Sequence, residues 1–187
     1  MQRRKFLAST VAATALGASA AGSLASHRKT TSPPKAFTVK AGETRFGERT
    51  PFRGINPNDL KVSGKDTGGM LSVFEYVGKE KTGPPLHVHA DQDEIFYVVE
   101  GEYLFQMGDE KLTAKAGDTV FGPRNVPHTW MQLSDTGKIV YSVQPAGTME
   151  EFFSRMNQLK GPPTAEEIQK IHLEHGMKVL GPPLSIR

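Results

Sequence analysis

Residues 83–101 read GPPLHVHADQDEIFYVVEG, and this stretch decides how the rest of the chain is interpreted. His87 and His89 stand two apart, so in a β-strand both imidazoles point to the same face. Glu94 follows five residues after His89, and His128 comes later, directly after Pro127. Imidazoles and carboxylates are ligands that divalent transition metals accept. The stretch therefore predicts part of a metal site. His128 would complete the set of ligands from a separate strand and leave coordination positions open.

The remaining sequence predicts many short strands. The 187 residues include 19 glycines and 13 prolines, which separate short apolar runs in the way that is typical of all-β folds. The candidate strands, besides the one that carries the two histidines, are residues 37–40, 45–46, 70–77, 95–99, 102–107, 111–114, 119–121, 128–133 and 138–144. About nine strands at this spacing predict an antiparallel β-barrel or jelly roll over residues 37–146. The run 95–99 is nearly all apolar, so we expect this strand to be buried on both faces.

A helical period replaces the strand pattern after residue 146. Apolar residues at 149, 152, 153, 156 and 159 predict one amphipathic helix. Thr164 and Glu167 form the pattern of a capping box, which predicts a second helix to about residue 175. We expect residues 147–187 to be a helical extension on the outside of the barrel. His172 and His175 are then expected on exposed helix surface.

Residues 1–25 are similar to an export signal. A positive start that contains Arg3 and Arg4 precedes an alanine-rich run and a cleavage site of small residues at 18–20. The arginine pair resembles the twin-arginine signal, which exports folded proteins, although Gln2 and Ala8 depart from its usual flanks. An ordinary secretory signal and an uncleaved anchor are the alternatives. We expect a periplasmic or secreted protein that has no membrane association once the signal is cleaved, with a linker at 26–36 before the barrel.

The net charge does not indicate a nucleic-acid partner. The formal charge of +3 comes from Arg3, Arg4 and Lys5, because the other residues include 20 basic and 20 acidic side chains. No basic stripe with interleaved aromatic residues accompanies them, so we expect no nucleic-acid binding. The chain also has no cysteine, which excludes disulfides, thiolate ligands and a cysteine nucleophile.

Two motifs resemble those of the cupin superfamily. The stretch 83–101 is similar to the first cupin motif, in which a glycine, His-x-His, a glutamate and a second glycine follow one another. Gly83 stands four residues before the first histidine, where the family has six. Residues 117–132 are similar to the second motif, with Asn125 in place of a glycine and Gln132 in place of an asparagine. Fifteen residues separate the motifs, as in small bacterial single-domain cupins, and residues 93–102 are similar to cupins called quercetin dioxygenase-like.

The resemblance implies a ligand set for one divalent transition metal, which could be Fe, Mn, Ni, Cu or Zn. The ligands implied are His87, His89, Glu94 and His128. Asp93 also fits the family spacing, and we choose Glu94 because six residues separate it from the closing glycine of the motif. The resemblance further implies that Glu94 is catalytic, either as a ligand or as the acceptor of a substrate hydroxyl proton.

A substrate pocket is expected beside the metal ligands. Tyr103 and Phe105 share one strand face, and Trp130 and Gln132 share a face with His128. Gln132 is expected to orient a ligand histidine or the substrate. The alternative is that these side chains belong to the barrel core, as aromatic residues of small barrels usually do.

The resemblance favours a metal-dependent dioxygenase that cleaves a small aromatic or enol, flavonol-like substrate. Two alternatives stay open from the sequence. One is a non-catalytic periplasmic cupin that binds a small ligand or a metal, and the other is a non-redox metal-dependent isomerase or lyase. Cupins often pair through sheet edges, so a homodimer is a possible assembly by this analogy alone, and the sequence does not decide whether two subunits pair.

Overall fold

The structure, a computed structural model, describes residues 35–185. The predicted export signal at 1–25 and nearly all of the predicted linker at 26–36 lie outside the described residues. The described helices are all too short or too polar to cross a bilayer.

Ten strands and three helices follow one another in this part of the chain. In order they are β1 Asn58–Val62, α1 Gly64–Thr67, β2 Ser72–Gly78, β3 Pro85–His89, β4 Asp93–Glu100, β5 Glu102–Met107, β6 Glu110–Lys115, β7 Thr119–Gly122, β8 His128–Gln132, β9 Gly137–Gln144, α2 Met149–Asn157, α3 Ala165–Glu174 and β10 Met177–Pro183.

The strands form two five-stranded antiparallel sheets, which confirm the predicted all-β jelly roll. One sheet has the order β1-β2-β9-β4-β7 and the other has the order β10-β3-β8-β5-β6. Strand alternation turns one side chain in two toward the core. The largest aromatic side chains of the core are Phe74, Tyr76, Phe96, Tyr103, Phe105, Trp130 and Tyr141.

The prediction of a first strand at residues 37–40 and 45–46 is wrong. These segments have no strand pairing, and the Arg45 guanidinium lies over the rings of Phe37 and Phe46 at 3.8 and 4.8 Å. The first strand is β1, which comes from the turn-rich stretch at 51–69 and pairs with β2. A short apolar run therefore does not by itself identify a strand. Here β1 already pairs with the edge of β2.

The prediction that the apolar run at 95–99 is buried on both faces is also wrong. Phe96 and Val98 are buried in the core, whereas Ile95, Tyr97 and Val99 are 37, 47 and 42% exposed. The run belongs to β4, whose inner and outer positions alternate. Its outer face is apolar but is left accessible by the described residues.

The extension after the barrel contains the two predicted helices and one further strand. Thr164 begins α3 with the predicted capping box: its side chain accepts from the Glu167 backbone N at 3.2 Å, and the Glu167 carboxylate accepts from the Thr164 backbone N at 2.9 Å. β10 then pairs with β3, with Met177 opposite His89. The extension is therefore part of the sheet that carries the two histidines, which the sequence pattern did not indicate.

Candidate metal centre

The four predicted ligands come from three strands and meet between the two sheets. His87 and His89 lie on β3, and their side chains share its inner face. His128 begins β8, where it is the register partner of His87. Glu94 lies on β4, in the other sheet. Because each histidine and the carboxylate occupy inward positions of paired strands, the fold brings them to one place.

The donor atoms of these side chains form a tight and buried cluster. One donor atom from each of the four residues lies within 4.8 Å of the others, and all four residues are buried. His128 Nε2 lies 2.8 Å from Glu94 Oε2, and His89 Nε2 lies 3.7 Å from the same oxygen. The His87 and His128 ring centroids are 4.7 Å apart.

A hydrogen bond at Nδ1 orients each of the three imidazoles. His87 and His128 each place Nδ1 near the backbone carbonyl two residues earlier, at 2.9 and 3.0 Å. Since a carbonyl oxygen only accepts, Nδ1 carries the hydrogen in both rings and Nε2 is left as the coordinating atom. His89 Nδ1 lies 3.0 Å from the Gln92 Oε1 atom, which fixes the third ring in the same way.

Gln92 is a supporting residue that sequence analysis missed. Its Nε2 donates to the backbone oxygens of Pro145 and Ala146 at 3.0 and 2.9 Å, which turns its Oε1 toward His89. Metal-ligating histidines commonly donate their second nitrogen to such a partner. A polar residue between two motif positions gives no signal of this role in a single sequence.

The electrostatics of His87 and Glu94 favour the protonation states that bind metals. Burial, together with the neighbouring His128 and His89, lowers the pKa of His87 to about 3. Burial alone would raise the pKa of Glu94, but the adjacent His89 and His128 outweigh it and hold that pKa at about 2. A neutral imidazole and an ionised carboxylate are the forms that a metal ion requires.

The residues present fit a divalent transition metal. His89 Nε2 is buried, and none of the described residues gives it a hydrogen-bond partner. An unpaired buried polar atom costs about 1–3 kcal/mol, whereas a metal would take up its lone pair. Three imidazole nitrogens and one carboxylate oxygen suit Zn, Fe, Mn, Ni or Cu better than Ca or Mg, which prefer oxygen ligands.

Comparison with known proteins gives the family of this domain. Residues 73–143, which include both motifs and all four cluster residues, match the family model described as cupin domain. The matched residues run from β2 to β9, so this part of the chain is similar to a cupin domain.

Individual relatives agree with this assignment. The chain is 27% identical over 136 residues to a Quercetin 2,3-dioxygenase of Bacillus subtilis, a match that covers 70% of this chain and 39% of that protein. The chain thus spans about two fifths of the length of that relative.

Two solved structures share the fold at low identity. A predicted oxalate decarboxylase of Thermotoga maritima aligns with a TM-score of 0.52 and 18% identity, over 59% of this chain and 99% of its own. An RmlC-like cupin of Shewanella frigidimarina aligns with a TM-score of 0.50 and 19% identity, over 62% and 96%.

Asp93, the alternative carboxylate, lies outside the cluster of three histidines and Glu94. Its two oxygens accept from the Arg124 backbone N at 2.8 Å and from the Arg124 side chain at 3.0 and 2.7 Å. These hydrogen bonds hold the pKa of Asp93 at about 2. The structure therefore places Glu94 in the cluster and Asp93 in an ion pair.

The four expected pocket residues lie in the core of the barrel. Tyr103, Phe105, Trp130 and Gln132 are all buried. Gln132 ends β8 at the opposite end from His128, accepts from the Tyr103 hydroxyl at 3.3 Å and donates to the Ser134 backbone oxygen at 3.0 Å. These bonds take the place of the predicted contact between Gln132 and a ligand histidine. Gln132 lies among core side chains, as the alternative interpretation expected.

The extension contributes a fourth histidine near the cluster. His172 of α3 is 4% exposed, so the prediction that it lies on exposed helix surface is wrong. Its ring centroid lies 4.8 Å from that of Phe152 and 6.2 Å from that of His87. The sequence held a signal: Ile168 and Ile171 lie on the same helix face as His172, and that apolar face is the one a helix buries.

Proposed function

We propose that this cupin is a metal-dependent enzyme, and more narrowly a dioxygenase that acts on a small aromatic or enol substrate. The observation that carries the proposal is the buried cluster of three imidazoles and one carboxylate, in which His89 Nε2 has no partner among the described residues. The 27% identity to a protein named Quercetin 2,3-dioxygenase supports the choice of a flavonol-like substrate.

The ligand residues would be His87, His89, Glu94 and His128. When bound, a divalent metal supplies a Lewis acid that activates a substrate oxygen. The chain provides the rest: the Nδ1 bonds keep the imidazoles aimed at the centre, and burial keeps bulk water away from it. Glu94 is the ionised acceptor at neutral pH, so it serves either as a ligand or as the group that takes a hydroxyl proton from the substrate.

Oxygen-dependent loss of a flavonol tests the proposal. The protein is loaded separately with Fe, Mn, Ni, Cu or Zn and mixed with quercetin in air. We expect at least one metal form to bleach the flavonol absorption band, consume dioxygen and release carbon monoxide. Glu94→Gln and His128→Ala should abolish the reaction, and His175→Ala is the control because that side chain bonds Thr148 and is not one of the cluster residues.

The same experiment without oxygen separates the other two functions. Product formed under anaerobic conditions would favour an isomerase or lyase and would contradict a dioxygenase. A flavonol that raises the melting temperature of the protein and is recovered unchanged in air would favour a binding protein. If none of the five metal forms turns over any of a panel of enols and catechols, the enzyme proposal is wrong.

We also propose that the protein is exported before it acts. Support comes from the sequence at 1–25, with Arg3 and Arg4 ahead of an alanine-rich run. Cell fractionation tests this, with the double substitution Arg3→Lys and Arg4→Lys as the matched variant. Export through the twin-arginine route should be lost in the variant, and unchanged export of the variant would contradict that route.

A further inference from the structure

His172 packs beside the cluster of three histidines and Glu94 but is not one of its members. Its ring lies 6.2 Å from the His87 ring, centroid to centroid, and it is not one of the residues whose donor atoms gather within 4.8 Å. Phe152 of α2 packs edge-on against it at 4.8 Å. α3 leads directly into β10, which pairs with the strand of His87 and His89. The position of this ring is therefore tied to the site by the fold itself.

One nitrogen of His172 is already engaged and the other is not. Nδ1 lies 2.7 Å from the Ile168 backbone oxygen, and a carbonyl can only accept, so Nδ1 carries the hydrogen. In the neutral ring Nε2 is then a hydrogen-bond acceptor. Among the described residues, Nε2 takes part in no hydrogen bond, although the residue is 4% exposed. An acceptor atom that lacks a partner in the described part of the chain, on a nearly buried residue at the edge of the ligand cluster, is available for a donor on a bound molecule.

From this geometry we propose that His172 is a substrate-positioning residue, which accepts a hydrogen bond from a second hydroxyl of a ligand whose first oxygen is held at the metal cluster. The ligand class is thus one with two neighbouring oxygens, at least one of them a hydroxyl, such as a catechol or a hydroxy-enol. Phe152 supplies an apolar surface beside His172, which suits the ring of such a ligand. The inference rests on the proposed metal site and does not require turnover.

A matched pair of chromophoric probes measures the contribution of His172. 4-Nitrocatechol has two adjacent hydroxyls, and 2-methoxy-4-nitrophenol keeps the same acidic phenol but has a methyl ether in place of the second hydroxyl. Zn²⁺-loaded protein is titrated anaerobically with each probe, and the dissociation constants come from the absorption shift. Because Zn²⁺ has no redox chemistry, the spectrum reports binding alone.

We expect wild-type protein to prefer 4-nitrocatechol, and His172→Phe to reduce that preference by about 3- to 10-fold, the value of one hydrogen bond. His172→Gln keeps a side-chain acceptor, so its preference should be closer to that of wild type than to that of His172→Phe. Leu173→Phe is the control on the same helix, because that side chain is 57% exposed, and it should leave the preference unchanged. The zinc content of all three variants should equal that of wild type.

Several outcomes would overturn the inference. Equal preference in wild type and His172→Phe would show that Nε2 accepts nothing from the ligand. Equal losses in the Phe and Gln variants would show a packing role only. Loss of zinc from His172→Phe would make His172 a metal ligand instead. A wild-type protein that binds neither probe would exclude this ligand class while leaving the test of oxygen-dependent turnover unaffected.

Discussion

His128 Nε2 lies 2.8 Å from Glu94 Oε2, and this contact joins the two sheets of the barrel. The carboxylate belongs to β4 and the imidazole to β8, so neither sheet holds the site alone. Burial lowers the pKa of His128, but the hydrogen bond to Glu94, the charge of that carboxylate and the bond to the Val126 oxygen together outweigh burial and raise it. The raised pKa favours a protonated His128 beside the ionised Glu94, and a bound metal would replace the proton between the two groups.

Substitution of either facing histidine should remove the metal. His87→Ala and His128→Ala each delete one of four ligands, and we expect the metal content of protein purified through its own export route to fall from about one ion per chain to near background. Elemental analysis measures this. Addition of metal should raise the melting temperature of wild type and leave both variants unchanged.

His175→Ala is the control for these variants. It removes a histidine of the C-terminal extension, whose Nδ1 lies 2.9 Å from Thr148 Oγ1. Its metal content should equal that of wild type. Full metal retention in both His87→Ala and His128→Ala would refute the assignment of the site.

Gln92 should affect metal affinity, and a second buried glutamine should not. Gln92→Ala frees the His89 ring, so we expect metal affinity to fall about 10- to 100-fold. It also deletes the bonds to two backbone oxygens, which should lower the free energy of unfolding by about 1–3 kcal/mol. A competition titration with a chromophoric chelator measures the affinity, and denaturant unfolding of the metal-free protein measures the stability.

Gln132→Ala is the matched variant. Gln132 is also buried and bonded through both side-chain atoms, but to Tyr103 and Ser134 at the far end of β8. It should lose a similar amount of stability and keep its metal affinity. If both variants lose affinity equally, the effect comes from loosening of the barrel and not from the orientation of His89.

The sequence predicted which four side chains come together because much of their signal lies in short motifs. A two-residue spacing places His87 and His89 on one strand face in any register, and the motif spacing selected Glu94 and His128. The ion pair that occupies Asp93 was not predictable from the sequence, since its partner Arg124 is 31 residues away. Contacts at such separations leave no trace in one chain.

The support around the ligands was not predictable for the same reason. β10 pairs with β3 from 88 or more residues away, so its role in the sheet depends on the whole fold. The apolar run of β4 was misjudged because apolar composition does not say whether the outer face is covered. The prediction that His172 is exposed was wrong for another reason. The helix pattern places His172 on the apolar face, but histidine was assumed to be exposed because it is polar.

A short helix away from the site should set part of the acid sensitivity of the barrel. Asp66 in α1 accepts from the Arg45 side chain at 2.9 Å through each oxygen and caps the Ser63 backbone N at 3.0 Å. The hydrogen bonds from Arg45 lower the pKa of Asp66 below its ordinary 3.8. A lowered carboxyl pKa stabilises the folded state above the ordinary pKa, and this stability is lost as the pH falls below it.

Asp66→Asn should therefore destabilise the protein by about 1 kcal/mol at neutral pH, and by progressively less below pH 3.8. Urea unfolding of wild type and variant between pH 7 and pH 3, in metal-free buffer, measures the gap. A gap of constant size over this range would mean that the ionised carboxylate is not the source of the stability.

The loop before His128 should tolerate glycine but not alanine at position 125. Asn125 has a φ of +62°, in the left-handed region, and its backbone N donates to the His89 oxygen at 2.8 Å. Asparagine adopts this conformation more readily than other residues with a Cβ, and glycine adopts it without strain. This conformation explains why asparagine can stand where the second cupin motif has glycine.

We expect Asn125→Ala to lower the free energy of unfolding by about 1 kcal/mol and Asn125→Gly to change it by less than about 0.5 kcal/mol. Both variants keep the backbone bond to His89, so the comparison isolates the cost of the left-handed conformation. Denaturant unfolding measures the two values, and metal affinity should follow the same order because this loop leads into His128. An alanine variant as stable as the glycine variant would show that the loop relaxes to another conformation, and the explanation of the asparagine would then fail.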